Sequence, residues 1–155
     1  METILRQSER LRLPDHERFR VDGRRVHPAY FLTALIAVES TFKREAVSHA
    51  DARGYMQLMP QTVAWMDDNL LIGDATEIAD LFQTATNLSR GVSYLNFLIE
   101  EMDDLRLVCL AYNAGPGAVR RGFWVERYWE KIPAHYREIE AGAFQVRAID
   151  LALAY

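Results

Sequence analysis

Apolar residues recur at helical spacing through most of this chain, and that periodicity constrains its fold more than any other feature. From Pro28 onward, Leu32, Leu35 and Ile36 fall on one helical stripe. Pro28 suits the first turn of a helix, where its missing N–H costs nothing. Further helices are predicted from about Gln57–Pro60 through QTVAWMDDNLL, in DLFQTATNLSRGVSYLNFLIEEM, in LRLVCLAYNAG up to GPG, and in FQVRAIDLALAY. The pattern therefore predicts a mainly α domain.

The first 26 residues differ from the rest because they are dense in arginine and acidic side chains. Within them, RFRVDGRRV alternates apolar and basic residues around Asp22 and Gly23. A D-G pair between alternating segments favours a type I′ turn, so we expect a short β-hairpin there. The expected organisation is an N-terminal extension (residues 1–26) and one main domain (residues 27–155). The arginines of RFRVDGRRV either face an anionic polymer or form a solvated polar face, and we favour the solvated face.

Length and charge limit the class of protein. A chain of 155 residues is most simply one domain that buries its own core. A formal charge of -4 argues against a nucleic-acid-binding protein. No apolar run approaches the roughly 18 residues that would span a bilayer. METILRQSER lacks the apolar region of a secretory signal, so we expect either a cytosolic protein or one whose leader has been removed.

The residue pattern implies no metal and no cofactor. The histidines show no H-x-x-x-H spacing, and one cysteine cannot build a zinc cluster. Cys109 also excludes an intramolecular disulfide, and we expect it to be a small buried apolar residue. NAGPG is too short for a phosphate-binding glycine loop and lacks the Lys-Ser/Thr that follows one.

A carboxylate lies on the apolar face of the first long helix. Glu39 is three residues beyond Ile36 and four beyond Leu35, so the three side chains share one face. Burial penalises the charged form of a carboxyl and raises its pKa, and a protonated glutamate at neutral pH is what a general acid requires. The alternative is that Glu39 lies where the stripe meets solvent and pairs with Arg53 or Lys43.

Three blocks of sequence carry a resemblance to a known family. In ALIAVESTFKREAVSHADARGYMQLMPQT, a hydrophobic helix ends in Glu-Ser and is followed by A-x-S and by G-x-M-Q-L-M-P. LFQTATNLSRGVSYLNFLI contains the pattern N-[IL]-x-x-G-x-x-Y-L, and LVCLAYNAGPGAV is the third block. In this order, over about residues 28–135, they resemble the soluble lytic transglycosylase (SLT-type) domain, similar to glycoside hydrolase family 23. That resemblance implies a lysozyme-like α+β fold with a glycan-binding cleft.

The resemblance also implies roles for individual residues. Glu39 corresponds to the family's single catalytic acid and base. Ser48 matches the serine beside the catalytic carboxyl and the N-acetyl group of the substrate. The other expected substrate-binding residues are Met56, Gln57, Tyr112, Asn113 and Glu140.

Three of these assignments have structural alternatives. Met56 either lines the cleft or fills the core, and Met59 is expected to fill the core. Gln57 either lines the cleft or holds its loop by hydrogen bonds. Asn113 either contacts sugar or holds the backbone, and we favour the backbone role.

The family's last block, E-T-x-x-Y-V, is not recognisable in KIPAHYREIEAGAFQVRAI. The nearest fit places Glu140 on its glutamate and leaves Tyr136 or Phe144 as the candidate for its tyrosine. Among the tryptophans, Trp65 is expected in the core. Trp124 follows the glycine-rich loop and either lines the cleft or packs elsewhere.

By resemblance, the expected activity is cleavage of peptidoglycan between N-acetylmuramic acid and N-acetylglucosamine without water, giving 1,6-anhydromuramic ends. The alternatives are a g-type lysozyme-like hydrolase and a glycan-docking scaffold within an envelope-spanning machine. Expected partners are glycan strands and proteins of the envelope machinery, in the periplasm or cell envelope. No second carboxylate lies in a recognisable motif, and we expect solvated positions for Glu45, Asp51, Asp67 and Asp68.

Overall fold

Helices make up most of the chain in the computed structural model, which describes residues 2–70 and 76–142. The α-helices are α1 (Glu2–Ser8), α2 (Pro28–Ser40), α3 (Pro60–Leu70), α4 (Thr84–Glu101), α5 (Leu105–Ala114), α6 (Pro116–Arg120) and α7 (Glu126–Glu140), and a 3₁₀ helix (Ile78–Phe82) precedes α4. The prediction of a mainly α domain is confirmed. The helix predicted in FQVRAIDLALAY, with the candidate Phe144, lies outside the described residues.

The hairpin predicted at the D-G pair is present. Strands β1 (Arg20–Val21) and β2 (Arg24–Arg25) pair antiparallel. Asp22 and Gly23 have φ angles of 52° and 74°, as a type I′ turn requires. The carboxylate of Asp22 accepts two hydrogen bonds from Arg137, at 2.8 Å from Nε and from Nη2, and these bonds connect the hairpin to α7.

Helix α2 is the buried centre of the fold. Its side chains Phe31, Leu32, Leu35 and Ile36 have no exposed surface. The helix packs against α7 on one side and α1 on another. Each fully buried side chain of this kind stabilises the fold by about 1.5–3 kcal/mol. The apolar stripe predicted for this segment is therefore confirmed, and burial extends to other faces of the helix.

The N-terminal residues pack on the rest of the chain. Helix α1 contacts α2 and α4, and Ile4 and Leu11 belong to the hydrophobic core. Beyond α1, the Arg12 N–H donates to Asn96 Oδ1 at 2.9 Å, and Asn96 Nδ2 donates to the Arg10 carbonyl at 2.9 Å. These bonds place residues 10–12 along one face of α4. We call residues 2–13 the N-terminal arm.

The glycine-rich segment after α5 contains a turn and a second, short helix. Helix α5 ends at Ala114, where a stop was predicted, and Gly115 has a φ of 85°. Pro116 then begins the short helix α6, since proline is compatible with a first helical turn. Cys109 is fully buried in α5, which confirms its expected role as a core residue.

Candidate active site

Glu39 lies in the last turn of α2, and the backbone turns sharply directly after it. Thr41 and Phe42 have φ angles of 49° and 60°, in the left-handed region that costs non-glycine residues roughly 1–2 kcal/mol each. The Phe42 side chain is buried in the core, and the Thr41 hydroxyl donates to the Ser40 carbonyl at 2.7 Å. These contacts hold the strained turn that ends the helix one residue beyond Glu39.

The environment of Glu39 favours its protonated form. The side chain is half-buried, and burial raises the pKa of Glu39 from 4.5 to about 7. The negative end of the α2 dipole acts in the same direction. A hydrogen bond from the Tyr128 hydroxyl to Glu39 Oε1 and the charge of Lys131 both oppose the rise. With a pKa near 7, the same carboxyl can release and accept a proton at neutral pH.

Tyr128 is a site residue that the sequence analysis missed. It lies in the first turn of α7 and begins the buried stripe of that helix, which continues through Ile132, Tyr136 and Ile139. The spacing of four, four and three residues is visible in the sequence and indicates one buried helix face. In the structure α7 packs on α2. A phenol at the start of the stripe contacts the end of α2, where Glu39 lies.

Of the two candidates for the final-block tyrosine, Tyr136 lies away from Glu39, and Phe144 lies outside the described residues. Tyr136 lies two helical turns beyond Tyr128, and its oxygen accepts the backbone N–H of His27 at 2.9 Å. It joins the start of α2 to α7, at the opposite end of α2 from Glu39. Tyr128, in the segment WVERYW, supplies the phenol at the catalytic candidate.

Glu140 does not join the site either. It is the last residue of α7, twelve residues beyond Tyr128, which corresponds to about 18 Å along a helix axis. Its carboxylate accepts from Arg24 Nη2 at 2.7 Å. The structure thus corrects its expected role as a substrate contact: Glu140 connects α7 to the hairpin.

A buried amide organises the loop between α2 and α3. Asn87 Oδ1 accepts the Met56 N–H at 2.8 Å, and Asn87 Nδ2 donates to the carbonyls of Arg53 and Leu81 at 2.9 and 2.8 Å. Gly54 has a φ of 75°, and a Cβ there would lie 2.3 Å from Asn87 Nδ2. Only glycine fits this contact, which explains the glycine in the first sequence block.

The two methionines of this loop exchange their expected roles. Met56 has 0% of its surface exposed, and its Sδ would lie 2.1 Å from a Cβ on Gly91. Its side chain therefore fills the core and does not reach substrate, although its carbonyl accepts from the Tyr112 hydroxyl at 2.7 Å. Met59, expected in the core, is half-buried and lines a cleft.

The amide of Gln57 and the hydroxyl of Ser48 hold this loop in shape. Gln57 has a φ of 47°, and its Nε2 donates to the carbonyls of Ala46 and Gly54 at 3.1 and 3.0 Å. Ser48 is exposed, and its Oγ accepts the N–H groups of Ala50 and Ala52 at 3.2 and 3.0 Å. Both alternatives left open for Gln57 are realised, because it also borders the cleft.

A cleft of about 240 Å³ opens between this loop, α3, α4 and the end of α5. Its walls include Gln57, Met59, Thr62, Tyr94, Tyr112 and Asn113. Tyr112 connects the cleft to the catalytic candidate, because burial and then the charge of Glu39 raise the pKa of Tyr112 well above its usual value. Asn113 is exposed in this wall, and its side-chain amide has no hydrogen-bond partner within residues 2–70 and 76–142, so the favoured backbone role is not seen.

The tryptophans lie outside the walls of this cleft. Trp65 is 40% exposed and packs on Phe97 with ring centroids 4.9 Å apart, so its expected place in the core was wrong. The Trp124 Nε1 donates to Glu126 at 3.1 Å, and the Arg106 guanidinium lies 5.6 Å from the ring centroid.

Neither cation expected to pair with Glu39 binds it in the described residues. Arg53 instead donates two hydrogen bonds to Asp51, at 3.0 and 3.1 Å. Glu45 pairs with Arg44 and Asp68 is exposed on α3. The solvated position expected for Asp67 was wrong, because its side chain is only 10% exposed and pairs with Arg90. Within residues 2–70 and 76–142, no carboxylate is therefore among the groups that shift the pKa of Glu39.

The family described as "Transglycosylase SLT domain" matches residues 20–132. This chain belongs to that family. An SLT relative named a putative soluble lytic murein transglycosylase, from Haemophilus influenzae, is 38% identical over 103 residues, which is 66% of this chain and 17% of the relative.

Solved SLT structures share the fold. The 70 kDa soluble lytic transglycosylase from Escherichia coli aligns with a TM-score of 0.61 and 25% identity, over 86% of this chain and 26% of that one. An inactive mutant of the lytic transglycosylase Slt from Pseudomonas aeruginosa aligns with a TM-score of 0.60 and 25% identity, over 99% and 23%. The lysozyme-like SLT fold expected from the sequence is confirmed, and this chain spans only 15–17% of the curated soluble relatives that it matches.

Proposed function

We propose that this SLT domain is a peptidoglycan lytic transglycosylase that cleaves the β-1,4 bond between N-acetylmuramic acid and N-acetylglucosamine. One observation carries the proposal: a half-buried glutamate with a pKa of about 7 lies beside a tyrosine-walled cleft, and no carboxylate in the described part of the chain is among the groups that shift its pKa. Glycosidases that use two carboxylates need them about 5–9.5 Å apart. A single carboxyl instead suits a reaction in which one group acts first as acid and then as base.

In the first step Glu39 gives its proton to the glycosidic oxygen, and the bond from that oxygen to C1 of the muramic sugar breaks. The N-acetyl carbonyl of the same sugar stabilises the positive charge at C1, as in substrate-assisted glycosidases. In the second step the ionised Glu39 takes the proton of the C6 hydroxyl, and the C6 oxygen bonds to C1. Glu39 ends protonated again, and no water is consumed.

Tyr128 positions the carboxyl for both steps. Its hydrogen bond holds Glu39 Oε1 in one orientation and stabilises the charged form that exists between the steps. Burial alone would raise the pKa further and would hinder release of the proton. The opposed effects of burial and of Tyr128 keep the pKa close to neutral pH.

Substrate contacts are assigned to side chains that face the cleft or its rim. The ring of Tyr112 offers an apolar face to a sugar, and the exposed amide of Asn113 offers both a donor and an acceptor. Gln57 borders the same cleft from the loop side. The Ser48 oxygen accepts hydrogen bonds from the loop N–H groups, so its hydroxyl proton is free to be donated to an acceptor on the substrate.

The names of the relatives support the proposal in substrate and in location. Both soluble and membrane-bound relatives are named murein transglycosylases, and one solved relative is inactive with glutamine in place of a glutamate. We infer action on glycan strands in the periplasm or cell envelope, alongside proteins of the envelope machinery. Within the described residues no helix is long and apolar enough to cross a membrane.

The test is digestion of purified peptidoglycan followed by mass spectrometry of the fragments. The proposal expects fragments that end in 1,6-anhydromuramic acid, lighter by one water than hydrolysis products, from the wild type and none from Glu39→Gln. Glu130→Gln, at an exposed glutamate of α7, is the matched control and should digest normally. Reducing ends would identify a g-type lysozyme-like hydrolase instead, and binding without cleavage would identify a docking scaffold.

A further inference from the structure

A second cavity is lined by α4, the helix that also contributes Tyr94 to the cleft. Its volume is about 490 Å³, within the range of small-ligand sites and twice that of the cleft. One face of α4 forms its floor through Ser93, Asn96, Phe97 and Glu100, at helical spacing. The N-terminal arm contributes Arg10 and Arg12, and the end of α3 contributes Leu70. We call this cavity the arm pocket.

A row of aromatic rings joins the cleft to the arm pocket. From Tyr112 in the cleft wall, the ring of Tyr94 is 5.5 Å away, and Phe97 lies 6.1 Å beyond Tyr94. Trp65 packs on Phe97 at 4.9 Å and is 40% exposed. Trp65 is on α3 and lies three residues beyond Thr62, which lines the cleft. The ring contacts therefore extend from the wall of the cleft to the floor of the arm pocket, and the exposed indole of Trp65 packs on the last ring of that row.

The arm pocket carries an excess of positive charge. Arg12 pairs with Glu100 at 2.9 Å, so these two charges offset each other. Arg10 Nη1 donates to Gln7 Oε1 at 2.7 Å and to Ser89 Oγ at 2.9 Å, and both of these acceptors are neutral. Its guanidinium is thus held in place, and no carboxylate within residues 2–70 and 76–142 pairs with it. A planar, fixed guanidinium matches the geometry of a carboxylate, which is the anion that an unmodified peptide carries.

We propose that the arm pocket binds a carboxylate of the peptide branch of a peptidoglycan strand, while Trp65 supports a sugar between that branch and the scissile bond. The substrate class rests on the proposed function. The arm pocket is lined by residues of the N-terminal arm, α3 and α4, and none of these residues has a role in the catalytic step. Arg10 then selects strands that still carry peptides, and Trp65 contacts strands of either kind.

The experiment measures binding to two preparations of one glycan: strands with their peptides, and the same strands after an amidase has removed the peptides. Binding is measured on the full chain carrying Glu39→Gln, so that the strands are not cut. Arg10→Gln removes the charge but can still bond to Ser89, and Arg10→Lys restores the charge. Arg6→Gln, at an exposed arginine of α1 outside the pocket, is the matched control. Thermal unfolding establishes that each variant is folded.

Arg10→Gln should weaken binding of the peptide-bearing strand about fivefold and leave the stripped strand unchanged. Arg10→Lys should recover most of the loss, added salt should reduce the wild-type preference, and Arg6→Gln should have no effect. Trp65→Ala should weaken binding of both strands by a similar factor. An equal effect of Arg10→Gln on both strands, or none on either, overturns the assignment.

Failure of this inference is distinguishable from failure of the proposed function. If the wild type cuts strands but shows no preference that depends on Arg10, the arm pocket is wrong and the catalytic proposal stands. If peptide-bearing strands bind through Arg10 but are never cut, the arm pocket stands and the catalytic proposal is wrong.

Discussion

Replacing Glu39 by glutamine should stabilise this protein at pH 8 while it abolishes the proposed activity. The native state holds the proton of Glu39 until the pH reaches about 7, whereas an unfolded glutamate loses it near 4.5. Between these values the native state binds more protons, so unfolding becomes easier as the pH rises. The wild type therefore loses stability from pH 4.5 to 7 and stays at the lower level above that.

The size of the effect follows from the two pKa values. One pKa unit corresponds to about 1.4 kcal/mol, so the rise from 4.5 to about 7 amounts to about 3 kcal/mol. Glutamine has the same shape, carries no charge and can accept the hydrogen bond from Tyr128. At pH 8 the variant should be more stable than the wild type by up to about 3 kcal/mol, which is roughly 10 °C in Tm for a chain of this length.

The assay is urea unfolding of the wild type and Glu39→Gln at half-unit steps from pH 4 to 8.5. Other carboxylates titrate in both proteins, so the informative quantity is the difference in unfolding free energy at each pH. That difference should be near zero at pH 4, grow through the interval from 4.5 to 7 and then level off. Glu130→Gln, at an exposed position, should show no such growth. A difference that is constant with pH would refute the claim that burial holds the proton on Glu39.

Other predictions test single contacts. Tyr128→Phe removes the bond that lowers the pKa of Glu39, so the alkaline limb of the activity profile should move to higher pH while kcat falls. Asn87→Leu removes the side-chain partner of the Met56 N–H and of the Leu81 carbonyl, while the Arg53 carbonyl still accepts from Leu58, and should lower the free energy of unfolding by about 2–4 kcal/mol in urea. Glu140→Gln should leave the KM for glycan unchanged, because its partner is Arg24; a raised KM would restore it as a substrate contact.

The sequence predicted those parts of the fold that depend on residues close together in the chain, such as the hairpin turn and the buried face of α2. The D-G hairpin follows from the positive φ angles that its turn needs, and the position of Glu39 follows from helical spacing relative to Leu35 and Ile36. The burial of Glu39 could be expected because the residues on its face are apolar. For α2, the helical repeat of the sequence directly indicates which face of the helix is buried.

The same reasoning failed for the loop before α3, because its backbone has no regular repeat that relates sequence position to burial. Gly54 and Gln57 both adopt positive φ, so successive side chains neither alternate as in a strand nor advance as in a helix. Which methionine points inward is decided by Gly91, which makes room for Met56 from another helix, and Met59 is left in the cleft. That contact joins residues 35 positions apart and leaves no local signal.

Tyr128 was missed for a different reason: its contact with Glu39 comes from the packing of α7 on α2 and not from a sequence motif. A motif search asks for a tyrosine at a set distance from a glutamate, but the site needs only a phenol on the face of α7 that meets the end of α2. Helix packing supplies this contact, since the buried stripe of α7 lies along α2. A buried carboxyl that costs about 3 kcal/mol is a large fraction of the 5–15 kcal/mol that typically stabilises a domain. The buried α2–α7 contact therefore has two effects: it desolvates Glu39 enough to keep its proton, and its buried leucine, isoleucine and phenylalanine side chains offset the cost of doing so.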